Sequence, residues 1–158
     1  TPMKWIAVDY GERRTGLAVC DASELIVTPV TPQIEEKSLN KVAEAAAAAR
    51  LAQGAEGVVC GLPLNMDGTE GSRCVKSRRF AARLATACGV PVVLWDERRT
   101  TVTAAGILSA NSTFGADRKA RLDSVSAAVI LESFLAWRKA HPGKEPPEVA
   151  APTAPEQA

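Results

Sequence analysis

Histidine is almost missing from this 158-residue chain: His141, close to the C-terminus, is the only one. Cysteine is scarce and badly placed for metal. Cys20, Cys60, Cys74 and Cys88 lie far apart and form no CxxC pair. A zinc site needs closely spaced thiolates or imidazoles, so zinc is not expected, and reduced, buried thiols are expected in place of disulfides. Long apolar runs are absent too; none approaches the roughly 20 residues that cross a bilayer. The N-terminal segment lacks the basic-then-apolar order of a secretory signal, which leaves a cytoplasmic protein without a membrane partner as the expectation.

Net charge is also nearly absent, at +1, but its distribution is uneven. Residues 73–121 hold ten Lys and Arg against the three acids Asp96, Glu97 and Asp117, while the remainder of the chain is acidic. A local positive field of this kind suits a polyanion such as nucleic acid. A solvated helix face accounts equally well for the run from Arg73 to Arg83.

Against this background three acids stand out, each in an apolar setting. Asp9 ends the run Trp5-Ile6-Ala7-Val8, Glu97 follows Val92-Val93-Leu94-Trp95-Asp96, and Asp123 heads a stripe with Ala127, Ile130 and Phe134 at helical spacing. A carboxylate at the edge of a core is costly without a cation, a set of donors or a metal ion. Three acids from separate elements can converge on divalent metal, and two such ions about 4 Å apart can drive phosphodiester hydrolysis. Mg²⁺ or Mn²⁺ suits an all-oxygen site in a chain with so few nitrogen and sulfur ligands. Each acid also has a plainer reading: Asp9 as a turn aspartate, Asp123 as a partner of Arg118 or Arg121. Adjacent strand residues face opposite ways, so of Asp96 and Glu97 only one is expected at the metal. Glu97 has the longer reach, which leaves Asp96 to pair with arginine or cap the next helix.

Periodicity and turn residues predict strands over residues 4–9, 15–20, 26–30, 57–62 and 91–95. Helices are predicted from the N-cap Ser38 to residue 53, over 72–88, 101–109 and 118–140, with a polar loop at 111–117. In the second helix Val75, Phe80, Leu84 and Ala87 are candidates for the core face. The first three strands form an antiparallel meander and the α-connected strands add in parallel, an α/β domain over residues 3–140 with a five-stranded mixed sheet. Residues 141–158 contain five prolines and no aromatics and are expected to be a disordered tail. The segment from Gly61 to Gly71, rich in glycine and lying between strand and helix, offers backbone amides for a phosphate, or forms a plain surface turn.

With those residues placed, the chain resembles the YqgF/RuvX family of Holliday-junction-resolvase-like or pre-16S rRNA nucleases. Four segments carry the resemblance. They are Val8-Asp9-Tyr10-Gly11 with Arg13-Arg14-Thr15-Gly16-Leu17-Ala18; Gly61-Leu62-Pro63-Leu64-Asn65-Met66-Asp67-Gly68-Thr69-Glu70; Asp96-Glu97-Arg98-Arg99-Thr100-Thr101; and Leu122-Asp123-Ser124-Val125-Ser126-Ala127-Ala128 onward to Glu132. The resemblance implies a ribonuclease H-like fold, catalysis by Asp9, Glu97 and Asp123 as the metal-binding acids, and 5′-end maturation of 16S rRNA. On that reading Arg13, Asn65, Gly68, Arg98, Lys119 and Arg121 are the candidates for nucleic-acid contact. The same acids would serve a resolvase cutting branched DNA, which calls for a homodimer because two opposed strands must be cut. A catalytically silent RNA-binding module is a third reading, distinguished by binding without cutting. Asp-x-Gly after a first strand also occurs in actin-like ATPases and sugar kinases, but those enclose their nucleotide with two such domains.

Overall fold

The computed structural model describes residues 2–100 and 116–153, the side chains of 116–123 excepted. Alternation of apolar residues organises its first half. Strand β1 (Trp5–Asp9) pairs antiparallel with β2 (Thr15–Cys20), and β2 with β3 (Val27–Ile34). At the first turn the carbonyl of Arg14 occupies the place a Cβ would take on Gly11, so only glycine lets the chain reverse there. The third strand runs past Pro32, where the sequence pattern ends it, because Gln33 and Ile34 continue to the Thr15 end of β2.

Helix α1 (Leu39–Gln53) starts where expected. The Ser38 hydroxyl accepts the Lys41 N–H at 3.4 Å, and Gly54 closes the helix at φ 69°, a left-handed turn that glycine adopts without strain. The fourth strand, β4 (Gly57–Leu62), is buried at every position and pairs parallel with both β1 and β5 (Val92–Asp96). Between them lies α2 (Ser72–Cys88). After β5 comes a short 3₁₀ turn, Glu97–Thr100, and then a long helix, α3 (Ala116–Ala140), which begins two residues before its expected start. The helix expected over 101–109 lies outside the described residues, as does the loop at 111–117 up to Ala116.

The sheet separates two apolar clusters. Ile6, Val8, Val58, Cys60 and Leu94 face α1 and α2, whereas Trp5, Ala7, Val59, Val93 and Trp95 face α3. Phe80 and Leu84 of α2 are fully buried and Ala87 is half-buried, but Val75 is 51% exposed. The buried stripe of α2 runs through Cys74, Ser77, Ala81, Leu84 and Ala85, and Val75 lies outside it. All four cysteines are free thiols, three of them buried.

The tail departs from expectation. Val149–Ala150 forms a sixth strand, β6, antiparallel to β5, giving the order β3-β2-β1-β4-β5-β6 in place of five strands. The Leu94 N–H donates to the Glu148 carbonyl at 3.0 Å, the Glu148 carboxylate pairs with Arg78, and Thr153 meets Thr86. These contacts cover the otherwise open edge of β5, the standard liability of an edge strand. Removing residues 144–158 is expected to lower stability by about 1–2 kcal/mol and the melting temperature by ~3–6 °C. Thermal denaturation of the truncated protein checks this; an unchanged midpoint would show that β6 contributes nothing.

Candidate active site

Strand alternation decides which acids can meet. Asp9 shares its face with Trp5 and Ala7, the face that packs on α3. Gly61 shares the corresponding face of β4 with Val59. Glu97, two residues after Trp95, comes back over Gly61: a Cβ built on Gly61 would lie 2.8 Å from Glu97 Oε2 and 2.7 Å from Ile130 Cδ1. Thus Glu97, the backbone of β4 and the apolar stripe of α3 converge at the carboxyl ends of the parallel strands, where open α/β sheets place their ligands.

Asp9 stands on the other side of β4. Val8 is level with Cys60, so Asp9 is level with Gly61. On the opposite face, the buried Cys60 thiol is pushed well above its ordinary range, by burial first and then by the negative charges of Asp9 and Glu97.

Asp123 lies in α3, and the direction of that helix is fixed at both ends. Ser124 donates its hydroxyl to the Val30 carbonyl at 2.9 Å, and Val30 is level with Leu17 and, through it, with Val8. At the far end Arg138 pairs with Glu24 at 2.9 Å, and Glu24 also takes the Met3 N–H. The helix therefore runs from the carboxyl end of β1 to its amino end, with position 123 at the Asp9 end. Position 123 also lies one turn before the buried Ala127. The side chains of Asp123, Lys119 and Arg121 fall outside the described residues.

The Glu97 carboxyl is held above its ordinary value, mainly by burial; Arg73 works in the opposite direction and Asp96 adds to the rise. No hydrogen bond to that carboxylate occurs among the described residues. A half-buried acid in this position suits a hard divalent cation, which would replace the missing partner with oxygen ligation. Among the described residues no three His, Cys, Asp or Glu side chains form a ready metal cluster. Asp9 and Glu97 are the two carboxylates that the described residues bring to this end of the sheet.

Asp96 has a different task. Its carboxylate accepts the Arg98 N–H at 2.9 Å and pairs with the Arg98 guanidinium at 2.7 Å, capping the 3₁₀ turn. Burial would raise its pKa, but the Arg98 hydrogen bonds outweigh that and hold it low. The charge of Arg98 is consequently matched locally. Its remaining nitrogen reaches the Met66 carbonyl at 3.4 Å.

The loop after β4 is closed on itself. Asn65 donates its N–H to the Thr69 carbonyl at 2.9 Å and its side-chain amide to Thr69 Oγ1 at 3.0 Å. The Gly68 N–H goes to the Asn65 carbonyl at 2.8 Å, and Asp67 Oδ1 takes the Thr69 N–H at 2.9 Å. These amides are spent within the turn rather than offered to a phosphate. Arg13, at the β1–β2 turn, is exposed.

Two contributors escape sequence reasoning. One is Gly61, whose missing side chain makes room for Glu97. The other is Arg73, on the first turn of α2, whose charge acts on Glu97. The only signal for the first was a glycine inside an otherwise apolar strand. A cavity of about 1080 Å³ opens among Trp5, Glu24, Leu135 and His141. It lies at the amino end of the sheet, away from the acids.

Comparison with known proteins adds to this geometry. Residues 3–137 match the family model described as "RuvX: Holliday junction resolvase". A protein of Syntrophus aciditrophicus (strain SB) named "Putative pre-16S rRNA nuclease" is 41% identical over 133 residues, covering 84% of this chain and 88% of that protein. One of the same name from Myxococcus xanthus (strain DK1622) is 42% identical over 135 residues, covering 84% and 87%. Among solved structures, Thermus thermophilus RuvC in complex with a Holliday junction substrate superposes with a TM-score of 0.59 at 15% identity, covering 88% of this chain and 97% of that one. That likeness is one of fold, and it is the ribonuclease H-like arrangement.

Proposed function

The chain belongs to the RuvX family, and on that footing we propose that it is a divalent-metal-dependent endonuclease acting on structured nucleic acid. Its substrate in this reading is the 5′ end of precursor 16S rRNA, after the names of its relatives, which would place the activity in the cytoplasm. The observation that carries the reading is the pair of acids Asp9 and Glu97 at one end of the sheet, Asp9 level with Gly61 in the strand register and Glu97 lying over it.

Asp9, Glu97 and Asp123 would hold Mg²⁺ or Mn²⁺. The bound ion would supply a water of lowered pKa and neutralise charge on the leaving oxygen. The chain's own residues do the rest. Gly61, without a side chain, lets Glu97 lie over β4 beside Ile130. Arg73 balances part of the negative charge that gathers at Glu97.

A second reading follows from the family description, which names a Holliday junction resolvase. It keeps the same acids but requires branched DNA and a homodimer. Cleavage of a precursor 16S rRNA fragment and of a four-way DNA junction, in parallel with Mg²⁺ or Mn²⁺, separates the two. Asp123→Asn is expected to abolish cutting of whichever substrate is used while sparing binding. Full activity in that variant would remove this site from consideration. Binding by the wild type without metal-dependent cutting of either substrate would leave the silent RNA-binding module.

A further inference from the structure

The cations near the acids divide into two groups. Those on the β5 side are already matched: Arg98 by Asp96, and Arg78 by both Glu70 and Glu148. Those on the outer side of α2 are not matched in this way. Arg73 and Arg79 are exposed and make no ion pair among the described residues. Arg83 binds only the neutral side chain of Asn40, at 3.1 Å, and so keeps its full charge.

The helix that carries this second group is joined to the segment that leaves Asp9. Tyr10, the residue after Asp9, stacks on Phe80 of α2 with ring centroids 4.3 Å apart. Two residues on, Glu12 reaches Lys76 at 2.5 Å. The middle of α2 is therefore anchored to the segment that leaves Asp9, while Arg73 on its first turn acts on Glu97 through its charge. At helical spacing Lys76, Arg79 and Arg83 fall on one stripe, roughly opposite the buried residues Cys74, Ala81 and Ala85. Arg73 lies at its edge.

We infer that this stripe of α2, with Arg13 of the adjoining turn, is the track along which a nucleic-acid strand is led over the carboxyl edge of the sheet to the acids. The inference rests on the nuclease reading and gives it a direction of approach: from the α2 face, across the β1–β2 turn, rather than by way of Arg98. From Arg73 to Arg83 the helix axis covers about 15 Å, over which one strand of a regular duplex presents about four phosphates. The contacts are charge to phosphate, so they position the strand without reading its sequence. The groups are basic side chains on a rigid helix, locked to the β1–β2 turn by Lys76–Glu12 and Tyr10–Phe80, so the track needs no rearrangement to form.

The test is the salt dependence of binding. Full-length protein is titrated against a labelled four-way DNA junction and a labelled RNA hairpin, with Ca²⁺ to permit binding, over about 50–200 mM salt. The double variant Arg79→Gln/Arg83→Gln, which leaves the Lys76–Glu12 lock intact, should make the slope of log affinity against log salt shallower by roughly 1.4–1.8 and weaken binding about 10-fold or more. A charge-matched control at the other end of the molecule, Lys139→Gln/Lys144→Gln, should leave the slope unchanged. Both residues are exposed. A slope in the α2 variant equal to that of the wild type, with cleavage by the wild type intact, overturns the track and leaves the nuclease reading standing. Equal slope changes in both doubles overturn it as well, since they would show a diffuse field rather than a path. If the wild type neither binds nor cuts either probe, both the track and the nuclease reading fail.

Discussion

Glu97→Gln is expected to lower cleavage by about 10³-fold or more, equivalent to roughly 4 kcal/mol of transition-state stabilisation. The same change should make the metal-free protein about 1 kcal/mol more stable. The two effects have one cause. Burial lifts the Glu97 carboxyl above its ordinary value, so its charged form is unfavourable in the folded chain unless a cation accompanies it. Glutamine keeps the shape and removes the charge.

The sign with pH follows from that shift. The folded-state pKa lies above the unfolded one, so folding is penalised at all pH values above the folded pKa. That penalty disappears as pH falls below the unfolded carboxylate value of roughly 4.3. The stability gap between Glu97→Gln and wild type should therefore be largest near neutrality and close on acidification. Divalent-ion affinity should move the other way in the wild type, declining as protons compete at a pH higher than for an ordinary glutamate. Denaturant unfolding of both proteins at several pH values, with and without Mn²⁺, reads all three effects. A wild type more stable than the variant without metal would contradict the account.

Much of this arrangement was legible in the sequence because it rests on period-2 and period-3.6 patterns. Asp9 and Glu97 follow apolar runs whose alternation fixes the face, and Asp123 falls in the stripe of Ala127 and Ile130, all readable without coordinates. The expectation that Asp96 pairs with an arginine or caps the next helix, which rested on alternation and on the longer reach of Glu97, is met by Arg98 at 2.7 Å. What could not be read depends on partners far apart in the chain. Strand β6 exists because β5 has a free edge and because Arg78 meets Glu148, 70 positions away; a proline-rich composition carries no trace of either. The loop from Asn65 to Thr69 has the composition of a phosphate cradle, yet its amides close on its own carbonyls and on Asp67. Val75 illustrates the limit of periodicity, since a shift of one position on a helix moves a side chain from core to solvent.

Gly61→Ala is the smallest change with a large expected effect, and it separates the packing of the site from its chemistry. The new methyl would sit 2.7 Å from Ile130 Cδ1 and 2.8 Å from Glu97 Oε2, both inside ordinary contact distance. The main chain of β4 cannot yield, because it is paired on both sides, to β1 and to β5. The side chains must move instead. Overpacking of this kind costs about 1–3 kcal/mol, or ~3–10 °C in melting temperature. Displacing Glu97 by an ångström should reduce turnover by roughly 100-fold even where the fold survives. Ile130→Val in the same chain removes the methyl that the alanine strikes, so the double variant should regain much of the lost stability. It should not regain turnover, because the clash with the carboxylate persists and Glu97 is still turned away from its place over β4. Melting temperature and kcat measured together on the single and double variants test the point. Parallel recovery of both would mean that Gly61 serves only the core, whereas recovery of stability alone would assign the absence of a side chain at position 61 to the placement of Glu97.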